Sequence, residues 1–308
     1  MNKKYLLILL SICVISTKPI SFDFIKKLPS SFSRKIDLET EQKEYTIKDF
    51  ATIKVNNDIG DIHIRTEPHR SRATLQVIKR AVKGTDVSHL RVQVQANDRE
   101  LNICTINNNT GINSAIDYIL VVPEQVSVQA STDAGNIIIE KVLGKVTTKT
   151  KDGNIDLYQI GNTVVAKATH QGNITVVQPA QKVEVKTKKG NITIDDVSQS
   201  VLAATHYGFI NIKSEQLKPN CSLKIANHHG QINLALPRSG INAGIKAHTK
   251  RGRITSEKEI TLNPRTMRLD AGQWKEMQSH IEGSIGNPEA EIVLSARKGN
   301  IKITELKS

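Results

Sequence analysis

Basic and titratable side chains recur two residues before a glycine that is itself followed by x-Ile. The eight residues at this position are Asp133, Lys151, His170, Lys188, His206, His228, Lys250 and Arg297. If the glycines align in the fold, these residues line one exposed edge. The seven other than Asp133 are basic or titratable, and we call them the corner ridge. Lysines on such an edge attract an anionic polymer, and histidines add positive charge below about pH 6.5. The corner ridge is therefore the candidate polyanion-binding site, although any solvated corner also collects polar residues. One residue before the glycine, further basic residues include Lys189, Arg251 and Lys298.

The carboxylates of the chain do not follow a catalytic pattern. Asp133 and Asp152 lie near successive glycines, but at different distances from them. His228 and His229 are adjacent, so on a strand their side chains should diverge and form a poor metal pair. Polysaccharide-cleaving β-helices place carboxylates close together on one face for acid–base work. We therefore expect no enzyme, no catalytic residue, no metal and no cofactor.

The glycines that position these side chains recur with a period near 20 residues. Successive spacings are 18, 19, 18, 18, 22 and 22 residues, and a step of 47 precedes the last copy. We interpret them as structural corners: Gly135, Gly153, Gly172, Gly190, Gly208, Gly230, Gly252 and Gly299. A fixed period of this length indicates one supersecondary unit stacked many times.

Each repeat has the pattern of a strand, a corner and a second strand. Aliphatic residues lie seven and mostly five positions before the glycine, with Lys167 as an exception, and two and four positions after it. The period-two alternation therefore changes face at the corner. Glycine supplies the positive φ that such a corner often needs, and the asparagine beside it tolerates the same region.

This pattern predicts an all-β fold. The chain should form a single-chain β-solenoid, similar to a parallel β-helix, with rungs of 18–22 residues and a less regular N-terminal β region. The isoleucine two positions after each glycine should point inward and stack on its neighbours about 4.8 Å away. A right-handed solenoid is the commoner form for parallel crossovers, and a left-handed hexapeptide helix is the alternative.

The N-terminal part of the chain shows three segments. Residues 1–17 have the features of a signal peptide, with Lys3 and Lys4 before the apolar run Tyr5–Ile15, and cleavage is expected near residues 16–21. An uncleaved anchor, or a lipid on Cys13, is the alternative. Residues 18–45 are polar and form a linker or a frayed first strand. Residues 46–123 form the irregular β region, in which Gly60-Asp61-Ile62 is a degenerate copy of the repeat.

The solenoid itself occupies residues 124–308, with an insertion at about 263–289. In that insertion Trp274, Met277 and Ile281 have helical spacing, and Ala290–Ile303 then forms the final rung. Export would place Cys104 and Cys221 in an oxidising compartment, which permits a disulfide that no other feature supports. No transmembrane span is expected after signal cleavage.

The charge of the chain indicates its class of partner. The 308 residues carry a formal net charge of +13, and only 4% of them are aromatic. A basic exported protein suits anionic partners such as envelope polysaccharide, lipid phosphate or acidic host glycans, unless the charge only maintains solubility. Aromatic stacking motifs typical of nucleic-acid-binding proteins are missing from the sequence, so no nucleic acid partner is expected.

The order of motifs is also informative. The strand Asp117-Tyr118-Ile119-Leu120-Val121-Val122-Pro123 is followed by repeated Thr-x-x-Gly-Asn-Ile, and the chain closes with Ala296-Arg297-Lys298-Gly299-Asn300-Ile301. Over about residues 50–308 this order resembles a large bacterial putative-adhesin domain-of-unknown-function family of exported β-strand-repeat proteins. The resemblance implies a β-solenoid in a cell-envelope setting and carries over no catalytic residue. The chain departs from that family by using asparagine at corners where aspartate is commoner.

Together these features predict a non-enzymatic exported protein of the periplasm, the cell surface or the medium. It would serve as an adhesin or binding scaffold, with anionic polysaccharide as the candidate ligand of its basic edge. The alternatives are a passive structural solenoid without a ligand and a polysaccharide-active β-helix enzyme.

Overall fold

The computed structural model describes residues 36–82, 87–107, 114–262 and 278–306. Within these ranges every regular secondary-structure element is a β-strand. The strands form one sheet of 12 strands and one of 13 strands. The predicted all-β solenoid is confirmed. No helix in these ranges is long and apolar enough to span a bilayer. The predicted signal peptide, Trp274 and Met277 lie outside the described residues.

Nine rungs each contribute one strand to each sheet, and each rung is named here by its glycine. Seven further described strands lie outside the rungs: β1 (Ile36–Thr46), β4 (Arg72–Val82), β5 (Leu90–Asn97), β6 (Glu100–Asn107), β7 (Ser114–Val122), β22 (Thr261–Leu262) and β23 (His280–Ile285). The strands that precede the glycines form the 13-stranded sheet: β2 (Thr52–Ile59), β8 (Ser127–Ala134), β10 (Val146–Asp152), β12 (Val164–Gln171), β14 (Val183–Lys189), β16 (Val201–Tyr207), β18 (Ser222–His229), β20 (Ala243–Arg251) and β24 (Ala290–Lys298). The strands that follow the glycines form the 12-stranded sheet: β3 (Ile62–Thr66), β9 (Ile137–Glu140), β11 (Ile155–Tyr158), β13 (Ile174–Val177), β15 (Ile192–Asp195), β17 (Ile210–Lys213), β19 (Ile232–Leu236), β21 (Ile254–Ser256) and β25 (Ile301–Glu305).

The rungs stack in parallel register, and their order departs from chain order at one point. From the Gly60 rung to the Gly230 rung, each β-strand pairs with that of the next copy of the repeat. Beyond that, β24 pairs with β18 and β25 pairs with β19, while β20 and β21 pair with the far sides of β24 and β25. The Gly299 rung therefore lies between the Gly230 and Gly252 rungs. The expectation that Ala290–Ile303 forms the final rung is wrong.

Both sheets continue through the predicted boundary at residue 123. Strand β2 pairs with both β6 and β8, and β3 pairs with both β7 and β9, so the degenerate Gly60 copy is a full rung. Antiparallel strands β4 and β1 extend one sheet beyond β7, and antiparallel β5 extends the other beyond β6. Because β1 spans Ile36–Thr46, the predicted linker does not extend past residue 35, and the alternative of a first strand is correct there.

The part of the predicted insertion that the structure describes contains the strand β23. Strand β23 pairs antiparallel with β20, with Ile281 opposite Ala247, and β22 pairs with β23. The helical spacing that included Ile281 therefore does not predict the structure at this residue. Cys104 and Cys221 are free cysteines, so the disulfide permitted by the sequence is not formed.

The core consists of aliphatic columns between the two sheets. The isoleucines two positions after the glycines are all buried, as predicted: in stacking order Ile62, Ile137, Ile155, Ile174, Ile192, Ile210, Ile232, Ile301 and Ile254. The exception at Lys167 has a structural reason. Register shifts between β10 and β12, where Thr150 pairs with Ala168 but Asp152 pairs with Gln171. The extra residue is a β-bulge, so Val164 takes the inward position predicted for Val165, and Lys167 is exposed.

Candidate functional site

The edge that carries the candidate site is built from glycines packed against one another. Gly190 has a φ of 151°, a conformation that essentially only glycine adopts, and a Cβ on it would lie 2.0 Å from the carbonyl oxygen of Gly172. Each of the eight predicted corner glycines has such an overlap with the glycine of the adjacent rung, at 1.8–2.0 Å. The corners therefore stack in direct backbone contact, which holds the residues on either side of them at rung spacing.

Threonines three residues before the glycines hydrogen-bond one corner to the next. The hydroxyl of Thr187 donates to the carbonyl of Gly172 at 2.9 Å, and the hydroxyl of Thr205 donates to that of Gly190 at 3.1 Å. Asn227 takes the same position in the next rung and donates its amide to the carbonyl of Gly208 at 2.8 Å. These bonds give the recurrent Thr-x-x-Gly a structural purpose, since they satisfy a buried hydroxyl and a corner carbonyl together.

Asparagines one residue after the glycines form a second hydrogen-bonded column. The Oδ1 atom of Asn173 accepts the backbone N–H of Asn191 at 2.8 Å, and Asn154 accepts that of Asn173 at 2.9 Å. The positive-φ residues of the described chain do not include these asparagines, so the conformational reason predicted for them is wrong. They serve as acceptors. The series is interrupted at Phe209, whose N–H still donates to Asn191 but whose side chain accepts nothing, and it resumes at Asn300, which accepts the N–H of Arg253 at 2.9 Å.

The structure places the predicted corner ridge along this edge. In stacking order its residues are Lys151, His170, Lys188, His206, His228, Arg297 and Lys250. On the other side of Lys151 the same position is occupied by Asp133 and then Asp58, and burial and the charge of Asp133 raise the pKa of Asp58. The edge is therefore acidic at one end and basic at the other.

The members of the corner ridge are not equivalent. His170 contributes less than its position suggests, because its Nδ1 atom lies 2.6 Å from Oδ1 of Asp152. At this distance the carboxylate of Asp152 offsets a positive charge on the His170 ring. Lys188 and His206 line a groove of about 300 Å³. Lys167 of β12 and Lys186 of β14 line the same groove.

Four cationic side chains line a depression of about 140 Å³ at the basic end. They are Lys250, Arg251, Arg297 and Lys298, and they belong to the last two rungs of the stack. Arg251 and Lys298 come from the position one before the glycine, so the predicted ridge contains only half of this surface. Within the described ranges of the chain no carboxylate forms an ion pair with any of the four.

A cluster of aromatic and histidine rings lies between the groove and the depression. The rings of His206 and His228 stack with centroids 4.1 Å apart, and those of Tyr207 and His229 stack at 4.7 Å. The centroids of His228 and His229 are only 4.5 Å apart, so the prediction that these side chains diverge is wrong. Strand β18 ends at His229 and Gly230 turns the chain with a φ of 132°, so strand alternation no longer separates them. Phe209, which follows Gly208, is also exposed.

Two histidines of this cluster, His228 and His229, have lowered pKa values. Burial lowers the pKa of His228, and the positive charges of His206 and Arg297 lower it further. Burial likewise lowers the pKa of His229, together with the charge of Lys298. Both imidazoles are therefore mostly neutral at pH 7, and these two rings gain positive charge at a lower pH than the ordinary histidine value indicates.

Comparison with known proteins gives matches of sequence family and of fold. A family model described as Toastrack DUF4097 matches residues 33–304. Comparison with curated proteins gives no match. Among solved structures, the chain is similar to a protein described as a putative adhesin from Bacteroides fragilis, with 13% identity over 87% of this chain and 97% of that chain and a TM-score of 0.39.

Two other solved structures cover the same share of the chain. A protein described as a putative lipid binding protein from Parabacteroides distasonis has 15% identity over 87% of this chain and 97% of that chain, with a TM-score of 0.43. A protein described as a putative cell adhesion protein from Clostridium sporogenes has 13% identity over 87% of this chain and 100% of that chain, with a TM-score of 0.29. At these identities the likenesses indicate no ligand for this chain.

Proposed function

The chain belongs to the Toastrack DUF4097 family, and we propose that it is an exported, non-enzymatic cell-envelope or surface protein that binds an anionic polysaccharide along its glycine corners. The observation that carries the proposal is the depression lined by Lys250, Arg251, Arg297 and Lys298. Four cations face one small volume without an ion pair to any described carboxylate. A ligand with anionic groups would supply the missing charge.

The electrostatic argument follows from the spacing of the rungs. Adjacent rungs lie about 4.8 Å apart, and two like charges at about 5 Å repel by roughly 0.8 kcal/mol in water. A solvated edge tolerates this repulsion, but a bound carboxylate, sulfate or phosphate removes it and gains charge-assisted hydrogen bonds from the two guanidinium groups. Because the edge is exposed, the attraction falls as salt concentration rises.

The length of the surface favours a polymer. The groove at Lys167, the ring cluster and the cationic depression lie in line over six rungs, from the Gly172 rung to the Gly252 rung. Five intervals of rung spacing correspond to about 24 Å. Between the two cationic ends, Tyr207 and Phe209 are exposed by 45% and 51%. Exposed rings beside hydrogen-bonding groups suit an amphipathic ligand such as a sugar ring.

The distribution of carboxylates supports binding without cleavage. At the position two before the glycine, the acidic residues Asp58 and Asp133 lie at the opposite end of the edge from the depression. Asp152 is engaged by His170. A glycoside hydrolase needs two carboxylates on either side of the bond that it cleaves, and no carboxylate is among the residues that line the described depression or groove.

The test is retention of the untagged protein on heparin and on an anionic envelope polysaccharide, over a salt gradient at pH 7.5. The triple variant Lys188→Gln, Lys250→Gln and Lys298→Gln should elute at lower salt than wild type. The matched control changes Lys145, Lys182 and Lys218 to Gln, which removes the same charge from exposed turns away from the corners. The control should elute near wild type. Equal elution of both variants would favour the passive scaffold, and shortening of the polymer during incubation would favour an enzyme.

A further inference from the structure

We propose that His206, His228 and His229 bind a divalent transition-metal ion. Each side chain offers one ligand nitrogen, and these three atoms all lie within 4.8 Å of one another. Imidazole nitrogen suits Zn²⁺, Ni²⁺ and Cu²⁺, while Mg²⁺ and Ca²⁺ prefer oxygen. Metal–nitrogen distances of about 2.0–2.1 Å place ligand nitrogens about 3.4 Å apart in a tetrahedral site. The ligand nitrogens must therefore approach one another by no more than about 1.4 Å, which rotation of the side chains at this corner allows.

The fold brings these residues together from two neighbouring rungs. Strands β16 and β18 pair in register with Tyr207 opposite His229, and the two glycines that follow are in backbone contact. His206 lies two residues before Gly208, and His228 holds the same position in the next rung. His229 joins them because the strand ends there. Three imidazoles leave a fourth coordination position open to water or to an anionic ligand.

The ring nitrogens of His228 show what the metal must displace. Nη1 of Arg297 lies 2.5 Å from Nε2 of His228 and donates to it, while Nδ1 of His228 is buried with no hydrogen-bond partner. A metal at Nε2 would replace the guanidinium of Arg297. Arg297 and the metal therefore compete for one lone pair, which makes the strength of metal binding sensitive to a residue that is not itself a ligand.

Two cations beside the cluster oppose metal binding. Arg297 and Lys298 repel a dication, which limits the affinity. Affinity should follow the order Cu²⁺ above Ni²⁺ and Zn²⁺.

The experiment uses the full chain without an affinity tag, treated with a chelator. Titration with ZnCl₂ and CuCl₂ by calorimetry should give one bound ion per chain, and the spectrum of bound Cu²⁺ in electron paramagnetic resonance should show imidazole nitrogen coupling. His206→Ala and His229→Ala should each weaken binding at least tenfold. The control His248→Ala, from a histidine outside the cluster, should bind as wild type.

A gain-of-function variant makes the test independent of folding defects. Arg297→Gln should bind Zn²⁺ and Cu²⁺ several-fold more tightly than wild type, because it removes both the competing donor and a positive charge. The proposal is overturned if wild type binds neither ion at millimolar concentration. It is also overturned if the His206 and His229 variants bind as wild type, if His248→Ala alone abolishes binding, or if Arg297→Gln binds no more tightly. None of these results depends on polysaccharide binding.

Discussion

Truncation of a central core isoleucine tests the stacking on which the whole edge depends. Ile192 is fully buried and lies in register between Ile174 and Ile210 of the adjacent rungs. Ile192→Ala removes three carbon atoms, which at about 0.8 kcal/mol each amounts to about 2.4 kcal/mol of transfer free energy. The cavity adds to this loss. Hydrogen-bonded strands on both sides limit collapse of the cavity, so we expect a total of about 3–4 kcal/mol.

The same truncation at the end of the stack provides the comparison. Ile254 belongs to the terminal rung, where β21 pairs on one side only, and it is 6% exposed. Ile254→Ala should therefore cost roughly half as much as Ile192→Ala. Thr193→Ala, at the outward neighbour, is the control for strand propensity. Urea midpoints followed by far-UV circular dichroism measure all three. The reasoning is refuted if the urea midpoint of Ile192→Ala equals that of Thr193→Ala. It is also refuted if Ile254→Ala unfolds at a lower urea concentration than Ile192→Ala.

Other changes test the corners and their acidity. Gly190→Ala should destabilise the fold on the order of 3 kcal/mol, because its Cβ would overlap the carbonyl of Gly172 in a conformation that alanine avoids; a melting temperature equal to wild type would contradict this. Phe209→Asn should raise stability by about 0.5–1 kcal/mol, since it adds one acceptor where the asparagine column is interrupted, and an unchanged urea midpoint would show that the column is interrupted there for another reason. Stability should fall as pH drops from 7.5 to 5.5. The pKa of His228 and of His229 is lower in the folded chain than in the unfolded one, so the unfolded chain binds more protons below about pH 6.5. His228→Gln with His229→Gln should reduce this fall in melting temperature; if it does not, other groups are responsible.

The core of the fold follows from the sequence because its period is visible in residue type. Isoleucine two positions after each glycine can be read directly, and the burial of Ile192 and its equivalents needs only the rule that strands alternate. In the sequence, the bulge in β12 has only two signs. Lys167 falls at a position predicted to point inward, and the spacing from Gly153 to Gly172 is 19 residues rather than 18. An extra residue is detectable from spacing, but its place within the strand depends on which pairing buries more apolar surface.

The candidate site was predictable in part, because its chemistry depends on how adjacent rungs touch. The alignment of glycines predicts that Lys250 and Arg297 share an edge, and the structure adds that Arg297 also lies beside His228. The convergence of His228 and His229 was not predictable from strand alternation, since it arises where the strand stops and Gly230 turns the chain. Asparagine at the corner was assigned the wrong role because a hydrogen bond between rungs has no signature within one repeat.

The exchange of the last two rungs shows why stacking order is harder to predict than rung structure. Every rung presents the same aliphatic column and the same corner to its neighbour, so the Gly230 rung can accept either of the two that follow with little difference in apolar contact. The choice must then come from what differs between them. Strand β23 pairs with the free edge of β20, so placing the Gly252 rung last covers an edge that would otherwise be open to another chain. The same exchange brings Arg297 beside His228. In chain order the Gly252 rung would have stood between these two residues, whereas the cationic depression and the histidine cluster each form within one pair of rungs that is adjacent in either order.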